Sequence, residues 1–260
     1  MNMIIQKLLQ KSFGALPKAL LVSASLLTMP LTAQASGGAD LDHVEIDLSD
    51  TESLKNGAKV FMDYCLSCHS AKYMRFKRMA DDLGMTDEEV LENLVYSDAK
   101  IHDTMEIAMP EADAALWFGA APPDLSVVSR SRGADWLYTY LRSFYVDKSR
   151  PMGVNNLVFK DVGMPHVLWK LQGMQHIEES KTNMAYGKEK IEHKLVADGT
   201  GSMSTEEYDK TVSDLVNFLV YVGEPIRSYR ESLGLYVLGF LLILLVLTIK
   251  LKKEYWKDVH

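Results

Sequence analysis

Two cysteines and a histidine lie within one short segment, Cys65-Leu66-Ser67-Cys68-His69. The spacing C-x-x-C-H is typical of covalent c-type haem attachment. Cysteines three residues apart on a helical turn project from neighbouring positions, so their thiols can add to the two vinyl groups of one porphyrin. His69 follows directly and can offer an imidazole nitrogen to the iron. The segment therefore predicts one covalently attached haem c, bound through Cys65, Cys68 and His69.

Two other chemistries remain open for this motif. A thioredoxin-like C-x-x-C belongs to a strand-to-helix context, whereas apolar residues precede Cys65 at helical intervals. A zinc site requires two further ligands, and the sequence shows no second paired motif. The chain contains 2 cysteines in all, which excludes a disulfide-rich scaffold and a four-cysteine zinc site.

A second axial ligand decides whether the iron is closed for electron transfer or open for ligand binding or catalysis. The chain has 14 methionines, so the presence of a methionine identifies nothing. The segment Gly163-Met164-Pro165 is favoured, because glycine allows close approach and proline stiffens a loop. Met109 and Met152 also neighbour a proline and are rivals, and His102 and His166 are possible histidine ligands.

Helical patterns dominate the region that must position these residues. Three pairs have capping-box spacing before apolar stripes: Ser49 with Glu52, Thr86 with Glu89, and Ser204 with Glu207. A helix over Asp135 to Phe144 places Trp136, Tyr140 and Phe144 on one face. Residues 120–126, 148–163 and 181–204 are predicted loops, and no strong alternating strand pattern is present. We expect an all-α fold with long loop insertions.

Both ends of the chain are hydrophobic, with different features. The N-terminus is typical of a cleaved secretory signal, since it has basic residues, an apolar run over 19–31 and small residues at 33–35. An uncleaved anchor is the alternative. Ser232–Ile249 is 18 residues long without a charge and would span about 27 Å as a helix, close to the hydrocarbon thickness. A buried core helix is the alternative. Lysines after this span predict a cytoplasmic C-terminus.

These signals predict a single-pass protein of the bacterial inner membrane. The expected organisation is a signal peptide over residues 1–35, a periplasmic c-type haem domain over 36–228, a transmembrane anchor over 229–250 and a cytoplasmic tail over 251–260. Export is consistent with the haem motif, since bacteria attach c-type haem outside the cytoplasm.

The exported part is distinctly acidic. The 260 residues include 47% hydrophobic and 24% charged residues, an ordinary globular composition, with a net charge of −7. Because both ends are basic, residues 36–249 carry a larger negative charge than the whole chain. An acidic surface disfavours nucleic acid as a partner and attracts cationic proteins, although solubility alone would also explain it.

Several segments together resemble the cytochrome c1 family, the haem subunits of quinol–cytochrome c oxidoreductases (cytochrome bc1 complexes). The resemblance covers most of the mature chain and includes the C-terminal anchor. Its segments are Tyr64 to Tyr73, Gly119 to Ser126, Arg130 to Arg132, Val162 to Pro165, Asp214 to Leu219 and Glu224-Pro225. The C-x-x-C-H motif is common to all c-type cytochromes, and the Pro-Pro-Asp-Leu-Ser segment with a tail anchor is far more specific. Trp117 and Phe118 stand where many relatives carry small polar residues.

The resemblance implies a cytochrome c fold in which helices near residues 50–66 and 205–222 cross over the haem. It implies His69 and Met164 as axial ligands, Arg132 as the partner of a haem propionate and Pro123 packed near the proximal haem face. A solvated loop charge is the alternative for Arg132, and a stiffened turn the alternative for Pro123.

The same resemblance implies that the chain passes single electrons from a Rieske iron–sulfur protein to a cytochrome c, beside cytochrome b in the bilayer. It is then a redox subunit of the complex and not an enzyme by itself. A membrane-anchored cytochrome c subunit of a terminal oxidase, an open-site haem peroxidase or sensor, and a tethered scaffold remain alternatives on the residues alone.

Overall fold

The computed structural model describes residues 40–183 and 189–258; the predicted signal peptide, residues 1–35, lies outside them. The helices are α1 (Thr51–Val60), α2 (Phe76–Leu83), α3 (Asp87–Asn93), α4 (Glu111–Phe118), α5 (Val128–Arg132), α6 (Ala134–Arg142), α7 (Trp169–Gln172), α8 (Thr205–Gly223) and α9 (Arg227–Tyr255). The strands are β1 (Ala71–Arg75), β2 (Thr104–Met105), β3 (Phe144–Val146), β4 (Val154–Asn156), β5 (Gln175–Asn183) and β6 (Glu189–Ala197). A π-helical turn, Phe61–Cys65, continues α1 into the C-x-x-C-H motif.

The first and last helices of the haem domain, α1 and α8, form the most extensive helix pairing among the described residues. Gly57 of α1 lies directly against the backbone of Asp214 in α8, which brings the two helices close together. Phe61 and Phe218 are both fully buried, with ring centroids 5.6 Å apart. Apolar stripes on both helices thus meet in the core, immediately before the haem motif.

Hydrogen bonds join several polar side chains inside this helix pair, although the buried Oδ1 of Asn217 has no partner among the described residues. The Ser53 hydroxyl donates to Asp214 at 2.7 Å, and the Asn217 side chain donates to the Ser53 oxygen at 3.1 Å and to the Asp47 carbonyl at 2.8 Å. Buried polar groups without partners are costly, so these bonds favour one particular register of α1 against α8.

Two of the three predicted capping boxes are present. Thr86 begins α3 and Ser204 begins α8, and each hydroxyl accepts a hydrogen bond from the backbone N–H of the glutamate three residues later. Glu89 and Glu207 accept in return from the backbone N–H of the cap residue, at 2.7 and 2.8 Å. The helix starts expected at these positions are therefore confirmed.

The third predicted box, at Ser49 and Glu52, is wrong. The Ser49 hydroxyl donates to Asp47 at 2.6 Å within a turn, so it is not available to cap a helix. Asp50 takes that position, and its carboxylate accepts from the Ser53 backbone N–H at 3.0 Å. The cap therefore lies one residue later than predicted, and the helix begins at Thr51.

The described residues also form three small antiparallel sheets, β1–β2, β3–β4 and β5–β6. The last of these contradicts the loop predicted over 181–204, because β5 and β6 pair in register from Gln175 with Ala197 to Asn183 with Glu189. The sequence of these strands has no strong alternating apolar pattern, so it resembles a polar loop. The core itself is helical, as predicted.

Helix α9 is 29 residues long, and none of its residues is buried. By length and composition it could span a membrane. It begins after Glu224-Pro225, and it contains the whole of the predicted anchor over residues 229–250. Its last turn carries Lys252 and Lys253.

Candidate haem site

The C-x-x-C-H motif follows the π-helical turn without a break. The backbone N–H of Leu66 donates to the Phe61 carbonyl at 2.9 Å, five residues earlier. The Cys65 carbonyl then accepts from the N–H groups of Cys68 and His69, at 3.0 and 2.8 Å. This tight turn holds both cysteines and the histidine on one short stretch of backbone.

The two thiols differ in environment, and both are free. Cys65 is buried in the core, and burial raises the pKa of its thiol to about 12, so the thiol stays protonated. Cys68 is half-buried. A pair of neighbouring thiols without a disulfide is the arrangement that two thioether bonds to one porphyrin require.

His69 is oriented by a distant carbonyl group. Its Nδ1 lies 2.7 Å from the carbonyl oxygen of Pro123. A carbonyl can only accept, so Nδ1 carries the proton and Nε2 keeps its lone pair. Burial lowers the pKa of His69, against a smaller opposing effect of the Pro123 carbonyl, which favours the neutral imidazole that metal ligation needs.

The Pro-Pro-Asp-Leu-Ser segment is attached to the chain that follows the motif. The backbone N–H of Leu125 donates to the Ser70 carbonyl at 2.8 Å. The backbone N–H of Lys72 donates to the Asp124 carboxylate at 3.0 Å. These bonds hold the Pro123 carbonyl against His69, so this segment serves as a support for the imidazole.

Met164 lies in the loop before α7, half-buried and packed against the core. Its sulfur accepts a hydrogen bond from the Tyr140 hydroxyl at 3.4 Å. Among its rivals, Met152 is 36% exposed. Met109 is also half-buried, just before α4.

The two candidate histidines differ from each other. His102 is exposed. His166 is buried, its ring stacks on Phe144 with centroids 5.1 Å apart, and its Nε2 has no hydrogen-bond partner among the described residues. Burial lowers the pKa of His166 to about 4, so the ring is neutral at physiological pH.

Aromatic side chains line the loop that carries Met164. Trp136 and Tyr140, one helical turn apart on α6, stack with ring centroids 4.8 Å apart and planes at 10°. Phe144 meets Tyr140 edge-on at 5.1 Å. Trp136 and Tyr140 share a face of α6 as predicted, whereas α6 ends at Arg142 and Phe144 lies in β3, from which it still contacts Tyr140. The contact of Tyr140 with Met164 was not predicted, because it joins positions 24 residues apart and has no local sequence signal.

Arg132 lies over the same aromatic group. Its guanidinium carbon is 4.9 Å from the Trp136 ring centroid and 5.7 Å from that of Phe159. The side chain is exposed. A guanidinium can contact aromatic rings and still bind a carboxylate through its N–H groups.

The residues of this site fit a covalent haem. A neutral imidazole nitrogen and a thioether sulfur form the donor set of low-spin cytochromes c, and two free thiols precede the histidine. The His69 nitrogen that would not bind iron already has its partner in Pro123. Apolar and aromatic side chains pack around the C-x-x-C-H turn at Cys65 and around Met164, which keeps water away from a haem face.

Such a site on a helical core defines a c-type cytochrome, and α9 adds a membrane anchor. Comparison with known proteins then identifies the family. The model of the Cytochrome C1 family matches residues 44–259. The chain therefore belongs to the cytochrome c1 family, as its motifs indicated.

Three relatives illustrate the similarity, and two of them are named as c1-type cytochromes. Cytochrome c1 of Allochromatium vinosum is 49% identical over 245 residues, which cover 94% of this chain and 100% of that protein. A protein named ammonia monooxygenase gamma subunit, from Nitrosomonas europaea, is 49% identical over 237 residues, covering 91% of this chain and 96% of its own length. A protein named cytochrome b/c1, from Bradyrhizobium diazoefficiens, is 28% identical over 249 residues, covering 81% of this chain and 34% of that longer protein.

Family membership confirms several predictions. The fold is the helix-rich fold of this family with one C-terminal apolar helix, and it also contains small sheets. The chain binds covalent haem c and is the electron-transfer haem subunit of a membrane-bound cytochrome bc1 complex.

Proposed function

We propose that this subunit passes single electrons from a Rieske iron–sulfur protein to a cytochrome c, beside cytochrome b, and catalyses no reaction by itself. The observation that carries the proposal is the 2.7 Å contact between His69 Nδ1 and the Pro123 carbonyl. Because this contact leaves Nε2 as the free nitrogen, the imidazole is prepared to bind the iron of a haem whose porphyrin would be attached to the adjacent cysteines.

Haem c bound to Cys65 and Cys68 supplies a reversible one-electron couple. His69 and Met164 would hold the iron, and with both of them bound the site would be closed to small ligands. The Pro123 carbonyl orients His69, and the N–H groups of Arg132 would bind a propionate. The chain's own residues would thus bind the haem, orient the ligands of its iron and exclude water from the site.

The proposed topology places the haem domain, residues 36–228, in the periplasm. Residues 229–250 would cross the inner membrane and residues 251–260 would lie in the cytoplasm. The lysines at the end of α9 support this orientation, because positively charged residues flank spans on the cytoplasmic side. The same orientation puts the acidic domain where a cationic cytochrome c can meet it.

Substitution of Met164 tests the axial assignment. In purified membranes, the reduced-minus-oxidised spectrum and a haem stain after denaturing electrophoresis should show covalent low-spin haem. Met164→Leu should keep the haem attached, lower its reduction potential and allow carbon monoxide to bind, whereas His69→Ala should abolish stable low-spin haem.

Met109→Leu and Met152→Leu are the matched controls and should change none of these properties. If either control opens the iron to carbon monoxide while Met164→Leu does not, the axial assignment is wrong.

Co-purification tests the partners. A tagged chain solubilised from membranes should bring down cytochrome b and a Rieske protein. Recovery with a copper–haem oxidase core, or with monooxygenase subunits as the name of the Nitrosomonas relative suggests, would contradict the proposed electron route.

A further inference from the structure

The hydroxyl of Tyr140 is placed at the sulfur of Met164. The donor–acceptor distance is 3.4 Å, and the tyrosine is 9% exposed. Trp136 stacks on one side of its ring, at 4.8 Å and 10°, and Phe144 contacts it edge-on at 5.1 Å. With the ring held between two aromatic neighbours, the hydroxyl has little freedom to turn elsewhere.

A thioether sulfur has two lone pairs. If one binds the iron, the other can accept a hydrogen bond, and the donor withdraws electron density from the sulfur. Ferric iron depends on that density more than ferrous iron does, since thioether ligation already favours the ferrous state. A hydrogen bond to the sulfur therefore weakens the bond to ferric iron and raises the reduction potential.

We propose that Tyr140 is a positioning residue that tunes the electron-transfer couple by donating a hydrogen bond to the Met164 sulfur. This inference rests on the proposed role of Met164 as an axial ligand. The rings of Trp136 and Phe144, which both contact the Tyr140 ring, keep the hydroxyl in place, so helix α6 acts on the iron through Met164 without touching it.

Tyr140→Phe removes the hydroxyl and keeps the ring between its neighbours. In the full-length, haem-loaded protein, redox titration should give a lower midpoint potential than the unsubstituted protein. Cyanide should bind the ferric form about threefold more weakly, because a sulfur relieved of its hydrogen bond is harder to displace.

A purely structural role predicts the opposite change in cyanide binding. If Tyr140 only props up the loop, its loss loosens Met164 and cyanide binds more tightly. An unchanged or raised potential, or tighter cyanide binding, would overturn the proposal.

Tyr138→Phe is the matched control, on the same helix. The Tyr138 ring packs against Arg142, with the guanidinium carbon 4.5 Å from its centroid. This variant should leave both the potential and the cyanide affinity unchanged. Equal shifts in Tyr138→Phe and Tyr140→Phe would refute a specific role for Tyr140.

Met164→Leu distinguishes a failure of this inference from a failure of the axial ligation by Met164 on which it rests. The far-red charge-transfer band of methionine-ligated ferric haem should be present in the unsubstituted protein and absent in Met164→Leu. Persistence of the band in Met164→Leu would show that the ligand assignment has failed. Loss of the band in that variant, with an unchanged potential in Tyr140→Phe, would reject the hydrogen-bond proposal alone.

Discussion

Gly57 is the position at which one added methyl group should do the most damage to this fold. A Cβ placed there would lie 2.0 Å from the Asp214 carbonyl oxygen and 2.7 Å from the Phe218 Cβ. Both obstacles are main chain or directly attached to it, so no side-chain rotation relieves the contact. Gly57→Ala must therefore push α1 away from α8.

The cost follows from the geometry. Restoring an ordinary contact requires a separation of roughly 1 Å or more in a core that is close-packed. Overpacking of this kind costs about 1–3 kcal/mol or more, and alanine regains at most about 1 kcal/mol in helix propensity. Because the contact is with rigid backbone, the cost lies at the upper end of that range. We therefore expect a net loss of about 2 kcal/mol, which lowers Tm by about 4–8 °C for a domain of this size.

Thermal unfolding of the haem-loaded protein, followed by circular dichroism, measures this loss. Gly234→Ala is the control, since a Cβ at this helical glycine meets no protein atom within 4 Å. A Tm for Gly57→Ala within a degree or so of the control would refute the close packing of α1 on α8.

Three further outcomes can be measured on the same protein. Tyr208→Phe removes a buried hydroxyl that donates to the Leu141 carbonyl at 2.9 Å; urea unfolding should show a loss of about 1–3 kcal/mol, against almost none for the exposed Tyr229→Phe. The hydrogen bonds of Ser204 lower the pKa of Glu207, so the Glu207 carboxylate stabilises α8 at pH values above its unfolded-state pKa. This contribution to stability disappears as the pH falls through the folded-state pKa. Glu207→Gln should therefore make Tm less sensitive to acid, and an unaltered dependence of Tm on pH would contradict the capping role. Added salt should slow electron transfer to a cationic cytochrome c, since screening weakens attraction to the acidic domain; rates independent of ionic strength in stopped-flow mixing would count against electrostatic docking.

Local sequence patterns predicted the features that depend on local physics. The caps at Thr86 and Ser204 require only a hydroxyl and a glutamate three residues apart, and both are present. The same spacing at Ser49 failed because a nearer partner, Asp47, competes for the hydroxyl. A spacing rule contains no information about such competition.

The supports of the candidate site could not be predicted in this way. The Pro123 carbonyl is 54 positions from His69, and Tyr140 is 24 positions from Met164. Both contacts exist only because the folded core brings distant segments together. The C-x-x-C-H motif identifies the residues that can bind a haem, whereas tertiary structure determines which neighbouring residues orient them.

The pairing of β5 with β6 was missed for a different reason, because its strands have no apolar pattern that predicts them. Its strands pair along nine residues each, yet their sequence has the polar composition of a loop. Backbone hydrogen bonds hold such a ribbon together whatever its side chains are, provided that one end is anchored, and here β5 contacts β3.

The π-helical turn at Phe61–Cys65 has a consequence for protein engineering. One extra residue in a helical turn rotates everything after it by about 100° relative to an unbroken α-helix. A shortened variant that lacks one residue of this turn would keep the pentapeptide intact but aim its thiols at a different side of the core. Transplanting the attachment signal into another helical scaffold therefore requires the irregular turn before it as well as the five residues themselves.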